Sequence, residues 1–270
     1  MSKFELTQAL EARMMNAWPS FECQFYDGWV VRFANGYTKR ANSVSPLWPG
    51  AKLDDELIDH IVSQFAQMNL RPVFRLTGLE APDTDERLAA HGFSESDPTF
   101  CMINDDPGSF DAEESIHIST DLPERWLQDT IKSYGDQGVG PEVLEDIVSR
   151  IRQTHGFATL MMDDQPVAWG LGVIERGYIG LYDVVVQPDL RGLGLGRRVL
   201  NGLISWGLQH NAERVYLQVT EQNEVARSLY KSLGFVDAYR YRHRILLTEI
   251  PEQDEQETEE DLLDPVLIVG

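Results

Sequence analysis

The chain has 270 residues, 42% of them hydrophobic, and carries 44 acidic against 23 basic side chains for a formal net charge of −21. That balance argues against a nucleic-acid partner, because a phosphate-binding surface needs a basic stripe that an acidic chain lacks. No apolar run approaches the ~20 residues that cross a bilayer, Ser2 to Met15 is charged and helix-patterned unlike a signal peptide, and neither Cys23 and Cys101 nor the histidines show metal or disulfide spacing. A cytoplasmic two-domain protein is expected, monomer or homodimer, with no metal and no membrane partner.

In chain order, Asp54 to Met68 is helix-patterned, Pro72 to Leu76 reads as a strand, and Asp85 to His91 reads as a short helix that ends at Gly92-Phe93. The region Asp121 to His155 contains a helix over Pro123 to Tyr134 and the joint Gly135-Asp-Gln-Gly-Val-Gly140, the pattern of a two-helix lid with an elbow. A β-rich run, Tyr182-Asp-Val-Val-Val-Gln187, then breaks at Pro188 into Asp-Leu-Arg-Gly-Leu-Gly-Leu-Gly196. Gly192, Gly194 and Gly196 have no Cβ, so the backbone there can turn tightly and aim successive N–H groups at an anion. A helix over Arg197 to Gln209 follows, with Val199, Leu200, Leu203, Ile204 and Trp206 on one face. Arg214 to Val219 reads as a strand, and Asn223-Glu-Val-Ala-Arg-Ser-Leu-Tyr230 as a helix closed by Gly234-Phe235. In Tyr239-Arg-Tyr-Arg-His-Arg244, rings alternate with arginines, so one strand face would line a pocket while the arginines face solvent or the acidic half, the other reading being an ordinary charged strand. Beyond it lie an acidic, flexible tail from Glu252 to Asp261 and an apolar end, Pro265 to Gly270, suited to docking on a sheet edge.

Two phosphate motifs are excluded by counting. A Rossmann Gly-x-Gly-x-x-Gly requires glycine where Arg197 or Val199 stands, and no Gly-Lys-Ser/Thr follows as in a Walker loop. The pattern Arg191-x-x-Gly194-x-Gly196 after Val186-x-Pro188, the strand at Arg214 and the Asn223 helix with its Leu229-Tyr230 pair together resemble the GNAT superfamily of acyl-CoA-dependent N-acetyltransferases, over residues of about 120 to 248.

Seen beside that resemblance, the front half reads as a degenerate copy of the back half. Pro46 and Pro188, like Gly92-Phe93 and Gly234-Phe235, are each 142 residues apart, with the same order of elements between them. In the first copy Pro49 stands for Arg191, Lys52 for Gly194, Asp54 for Gly196 and Leu88 for Tyr230, and a carboxylate and two side chains there oppose phosphate. One cofactor site is therefore expected in an α/β (α+β) chain of tandem GNAT-like folds, each a mixed, splayed sheet flanked by helices. The expected division is a degenerate domain over 1–115, an acetyltransferase domain over 116–249 and a tail over 250–270. Residues 116–250 are nearly balanced in charge, with 14 basic and 17 acidic groups.

The resemblance implies acetyl-CoA as cosubstrate, its pantetheine arm in a slot between the strand ending at Val186 and the strand Val215 to Val219. Val184, Val185 and Val186 would offer backbone groups, one N–H serving as oxyanion donor. Arg191, Gly192, Leu193, Gly194, Leu195, Gly196 and Arg197 would surround the diphosphate, although Arg191, Arg197 and Arg198 also fit a solvated first turn. Asn223 and Ala226 would meet the pantetheine, with a helix cap as the other role of Asn223. Tyr230 is the candidate general acid, its alternative a core ring. Asp183 is the candidate base, with Tyr182 and Glu175 also near the acceptor side. Arg40 and Asn42, in a Tyr37-to-Ser43 stretch that also resembles two-domain members, fit either acceptor contact or a strand-end role. The implied reaction is transfer of acetyl to a primary amine of a small molecule or peptide by direct attack in a ternary complex. The other reading is a non-catalytic CoA-binding regulator or scaffold.

Overall fold

The computed structural model describes residues 2–108, 110, 113–134 and 141–247. They form two compact units, the first holding the chain up to Thr99 and again from Tyr239, the second holding Phe100 to Ala238. The glycine-rich joint at 135–140 and the acidic tail lie outside the described residues.

The first unit opens with α1 (Lys3–Ala17), started by a capping box in which Ser2 and Glu5 each satisfy the other's backbone N–H. It continues through β1 (Glu22–Tyr26), β2 (Trp29–Phe33), β3 (Val44–Pro46), α2 (Asp55–Gln67), β4 (Val73–Leu76), α3 (Thr84–Ala90) and the start of β5 (Phe93–Asn104). The last strand, β11 (Val236–Leu246), enters it at Tyr239 and pairs antiparallel with β4. The strands lie in the order β1-β2-β3-β4-β11, mixed because β3 and β4 run parallel. Val31, Phe33, Val44 and Phe74 pack with Ile58, Ile61 and Phe65 of α2 in one apolar cluster.

Period-two alternation sends Arg32 and Arg75 to the other face. There the Glu11 carboxylate of α1 accepts from Arg75 Nε at 2.9 Å and Nη2 at 2.7 Å, and also from the Tyr239 hydroxyl. The Arg75 guanidinium lies 3.4 Å from the Tyr241 ring centroid. A guanidinium that is fully buried is tolerable only because it is paired and stacked in this way. Tyr239, Tyr241 and His243 are all buried, whereas Arg242 and Arg244 turn outward to Asp85 at 2.9 and 2.8 Å, as the alternation in β11 predicts.

The second unit contains β6 (Ile116–Ser119), α4 (Trp126–Tyr134), α5 (Pro141–Val148), β7 (Thr154–Met162), β8 (Gln165–Glu175), β9 (Tyr178–Val186), α6 (Leu195–Gln209), β10 (Arg214–Thr220) and α7 (Glu224–Ser232). Its strands run in the order β10-β9-β8-β7-β6, with β10 parallel to β9 and the others antiparallel. One core joins Ile179, Leu181, Val184 and Val186 of β9 to Val199, Leu200, Leu203 and Ile204 of α6 and to Ala226 and Tyr230 of α7. Among the described residues no helix is long and apolar enough to cross a membrane.

Candidate active site

Three features of the second unit converge at the C-terminal end of β9. The first is a parting of strands. β9 and β10 stay in register from Tyr178 and Arg214 to Leu181 and Leu217, where their pairing ends although the strands continue to Val186 and Thr220. Val185 and Val186 keep their partners on β8, Trp169 and Ala168, so their side toward β10 is the one the sheet leaves open. Backbone groups on such an edge need partners, which is what an extended amide-bearing ligand supplies.

The second feature is a bulge on β9. Trp169 pairs with Val185 but Leu171 with Tyr182, so Gly170 alone opposes Asp183 and Val184. Asp183 takes the left-handed conformation, with φ of 47°, and is 2% exposed. Strict alternation from Ile179 and Leu181 would send Asp183 into the α6-side core. The extra residue gives that side to Val184 and Val186 instead, keeping a carboxylate out of an apolar cluster.

The third is the turn between β9 and α6. A short 3-10 turn over Pro188–Leu190 leads into Gly192 and Gly194, with φ of 77° and 75°. Nothing lies within 4 Å of the place a Cβ would occupy at either glycine. Gly194 is the N-cap of α6 and provides no side-chain cap, so the first-turn N–H groups of Leu195, Gly196 and Arg197 lack the cap partner a Ser or Asp would give them. A helix start that is uncapped, glycine-turned and open in front fits a diphosphate. Of the three arginines, Arg198 is taken by Glu113, which also accepts from Ser115 Oγ at 2.6 Å. Their hydrogen bond raises the guanidinium pKa and lowers that of the carboxyl. Arg197 donates to Ser232 Oγ and, with Glu224, Val225, Ser228 and Leu229, lines an open groove of about 570 Å³ between α6 and α7. Leu193 is exposed and Arg191 half-buried at the turn, while Leu195 anchors the helix in the core.

Asn223 caps α7, its Oδ1 accepting from Ala226 N at 3.0 Å. Tyr230 is fully buried, its ring centroid 5.9 Å from that of Phe235, in the cluster that also holds Val184, Val186 and Val219. The strand ends and the Tyr230 ring thus share one apolar core. Asn42 accepts from Ala34 N at 2.6 Å and Gly36 N at 3.0 Å and donates to the Tyr37 and Thr38 carbonyls, a loop staple in the first unit. Arg40 lies buried beside the Trp18 ring. Sequence reading missed the Glu113–Arg198 pair and the contact of Tyr182 with Tyr216, since both join residues far apart in the chain.

Comparison with known proteins bears on this geometry. Residues 7–244 match the family model described as "Probable histone acetyltransferase Rv0428c C-terminal". An uncharacterized N-acetyltransferase of Bacillus subtilis, YobR, is 27% identical over 239 residues, covering 85% of this chain and 94% of that protein. A GCN5-related N-acetyltransferase from Kribbella flavida superposes with a TM-score of 0.67 at 15% identity, over 90% of this chain and 96% of that one. A tandem GNAT protein from the clavulanic acid biosynthesis pathway does so with a TM-score of 0.54 at 16% identity, over 77% of each chain. At such identities the structural likeness is one of fold. With the family model spanning nearly the whole chain, this protein belongs to the Rv0428c C-terminal acetyltransferase family and is an N-acetyltransferase of the GNAT superfamily.

Proposed function

We propose that the enzyme moves the acetyl group of acetyl-CoA to a primary amine of a small-molecule or peptide acceptor, by direct attack with both substrates bound. The observation that carries this reading is the uncapped, open N-terminus of α6 beside the parted ends of β9 and β10. When bound, acetyl-CoA supplies the activated acetyl thioester. Arg191, Gly192, Leu193, Gly194, Leu195, Gly196 and Arg197 hold the diphosphate through backbone N–H groups and positive charge. Val184, Val185 and Val186 offer backbone partners to the pantetheine arm, and one of their N–H groups polarises the acetyl carbonyl. Asn223 and Ala226 flank that arm from the start of α7. Tyr230 returns a proton to the departing sulfur, and Asp183, set apart by its bulge, takes a proton from the amine directly or through water.

The first unit serves as a degenerate copy without a second cofactor site. In support, α2 is preceded by the N-cap Asp54, whose carboxylate accepts from Leu57 N at 2.9 Å. Its N-terminus is therefore capped by a negative charge where α6 is bare.

Calorimetric titration of acetyl-CoA, with CoA, NAD and ATP as comparisons, tests the cradle. One site on the wild type and none on Gly194→Glu is the expected result, and unaltered binding by that variant would reject it. Tyr230→Phe is expected to keep acetyl-CoA affinity while kcat on a panel of spermidine, 2-phenylethylamine and an alanine-led peptide drops about 10²- to 10⁴-fold. Unchanged turnover would remove Tyr230 from the chemistry, and a wild type that binds acetyl-CoA yet acetylates no amine would favour a scaffold.

A further inference from the structure

Tyr178, Gly180 and Tyr182 alternate along β9 with Ile179 and Leu181, so they occupy the face turned away from α6. Gly180 pairs with Tyr216 of β10, which shares that face. A Cβ at position 180 would lie 2.6 Å from both Cζ and Oη of Tyr216 and 2.7 Å from the Tyr182 ring. Glycine in the middle of a fully buried strand is costly. Here it makes the room that seats the Tyr216 phenol against its neighbour. The Tyr182 and Tyr216 hydroxyl oxygens are 2.8 Å apart, and the rings cross at 87° with centroids 6.3 Å apart. Tyr178 continues the row, its ring 6.5 Å from that of Tyr216 and its hydroxyl accepting from Arg214 at 2.8 Å.

The place of this pair along the strands matters as much as its contact. Leu181 and Leu217 are the last residues at which β9 and β10 pair, and the two tyrosines flank that point, Tyr182 one residue beyond it and Tyr216 one residue before. The backbones of the two tyrosines therefore flank the parting, next to the Asp183 bulge, while their phenols meet over Gly180 on the face opposite α6. Tyr230 lies on the α6 side. Tyr230 and the Tyr182–Tyr216 pair thus lie on opposite faces of the sheet.

Resting on the acetyl transfer proposed above, the geometry points to the Tyr182–Tyr216 pair as the amine-side proton relay. Asp183 takes the proton that the ammonium must lose before attack; the second proton, surplus on nitrogen once the nitrogen–carbon bond forms and the carbon–sulfur bond breaks, passes to one phenol oxygen. That phenol hands its own proton to the second, the second releases its proton to water, and both end as they began. The sulfur's proton arrives separately from the α6 side. With 3% and 2% of their surfaces exposed, the phenols are screened from bulk solvent, which favours passage along the pair.

Tyr182→Phe and Tyr216→Phe keep the rings and remove one hydroxyl each. The probes are 2-phenylethylamine and its less basic analogue 2,2-difluoro-2-phenylethylamine, whose nitrogen sheds its proton more readily. Both variants are expected to bind acetyl-CoA like wild type by calorimetry. On the ordinary amine their kcat is expected to fall at least about 10²-fold with little change in KM, the lower end of general-base effects. On the fluorinated amine the loss shrinks to a few-fold. An equal loss on both amines, or none on either, overturns the relay while leaving the transfer intact. Wild type that turns over neither amine overturns both readings, and lost acetyl-CoA affinity in the variants shows the pair to be structural.

Discussion

Single residues in this protein act through conformation as much as through chemistry. Gly194 holds a φ of 75° with open space in front of it, so the difficulty of replacing it is backbone strain rather than a clash. Gly194→Ala is expected to destabilise the fold by about 1 kcal/mol and to weaken acetyl-CoA binding severalfold in calorimetry, less than Gly194→Glu, which adds a repelling charge. Asp97, in the first unit, is a buried carboxylate whose titration bears on stability. Burial pushes its carboxyl upward, but His243, with Nδ1 3.8 Å away, and the charge of Lys39 outweigh burial and bring the pKa from 3.8 down to about 2. A depressed carboxylate stabilises the fold above its unfolded value and ceases to do so as pH falls through the folded one. The stabilisation, about 2 kcal/mol, is thus expected to disappear between pH 3.8 and about 2. Asp97→Asn should lower the melting temperature at neutral pH and flatten that acid limb, and melting curves of both proteins across the range check it.

At the scale of elements, α6 joins binding to packing. Its C-terminal half lies so close to the sheet that a Cβ at Gly207 would sit 2.8 Å from Ile179 Cδ1 and 3.2 Å from Ile179 Cβ. Gly207→Val is expected to cost about 1–3 kcal/mol through overpacking, seen as a lower melting temperature, with the N-terminal cradle still able to bind at low temperature. At the other end of the helix the Glu113 carboxylate holds Arg198 near the first turn. It also places a negative charge where an anion is to bind. Glu113→Gln should therefore tighten acetyl-CoA by about 0.5 kcal/mol, or about twofold, with the gain lost at high salt. Calorimetry at two ionic strengths measures both effects.

For the molecule as a whole, the net charge of −21 is the property a charged acceptor meets first. Long-range attraction raises the encounter rate of cations and is screened beyond about 8–10 Å at ordinary ionic strength. If the acceptor is cationic, as spermidine is, kcat/KM should fall as salt is raised while acetyl-CoA affinity changes in the opposite sense or not at all. A neutral amine should show no such dependence.

Composition, motif order and local spacing sufficed to determine the family and the fold class, because these depend on interactions short along the chain. The turn at Gly192 and Gly194, the helix from Leu195 to Gln209, the Asn223 cap and the alternation in Tyr239 to Arg244 are all set by neighbours within a few residues. Only the tertiary structure decided what distant residues do to one another. The bulge at Asp183 exists by reference to the register of β8, and the parting of β9 from β10 is a relation between strands joined through α6. That Tyr216 rests over Gly180 and reaches Tyr182, that Arg198 is claimed by Glu113 and that β11 pairs with β4 follow from packing across long sequence separations. A linear motif contains no term for such contacts, since their energy depends on which faces meet once the chain has closed.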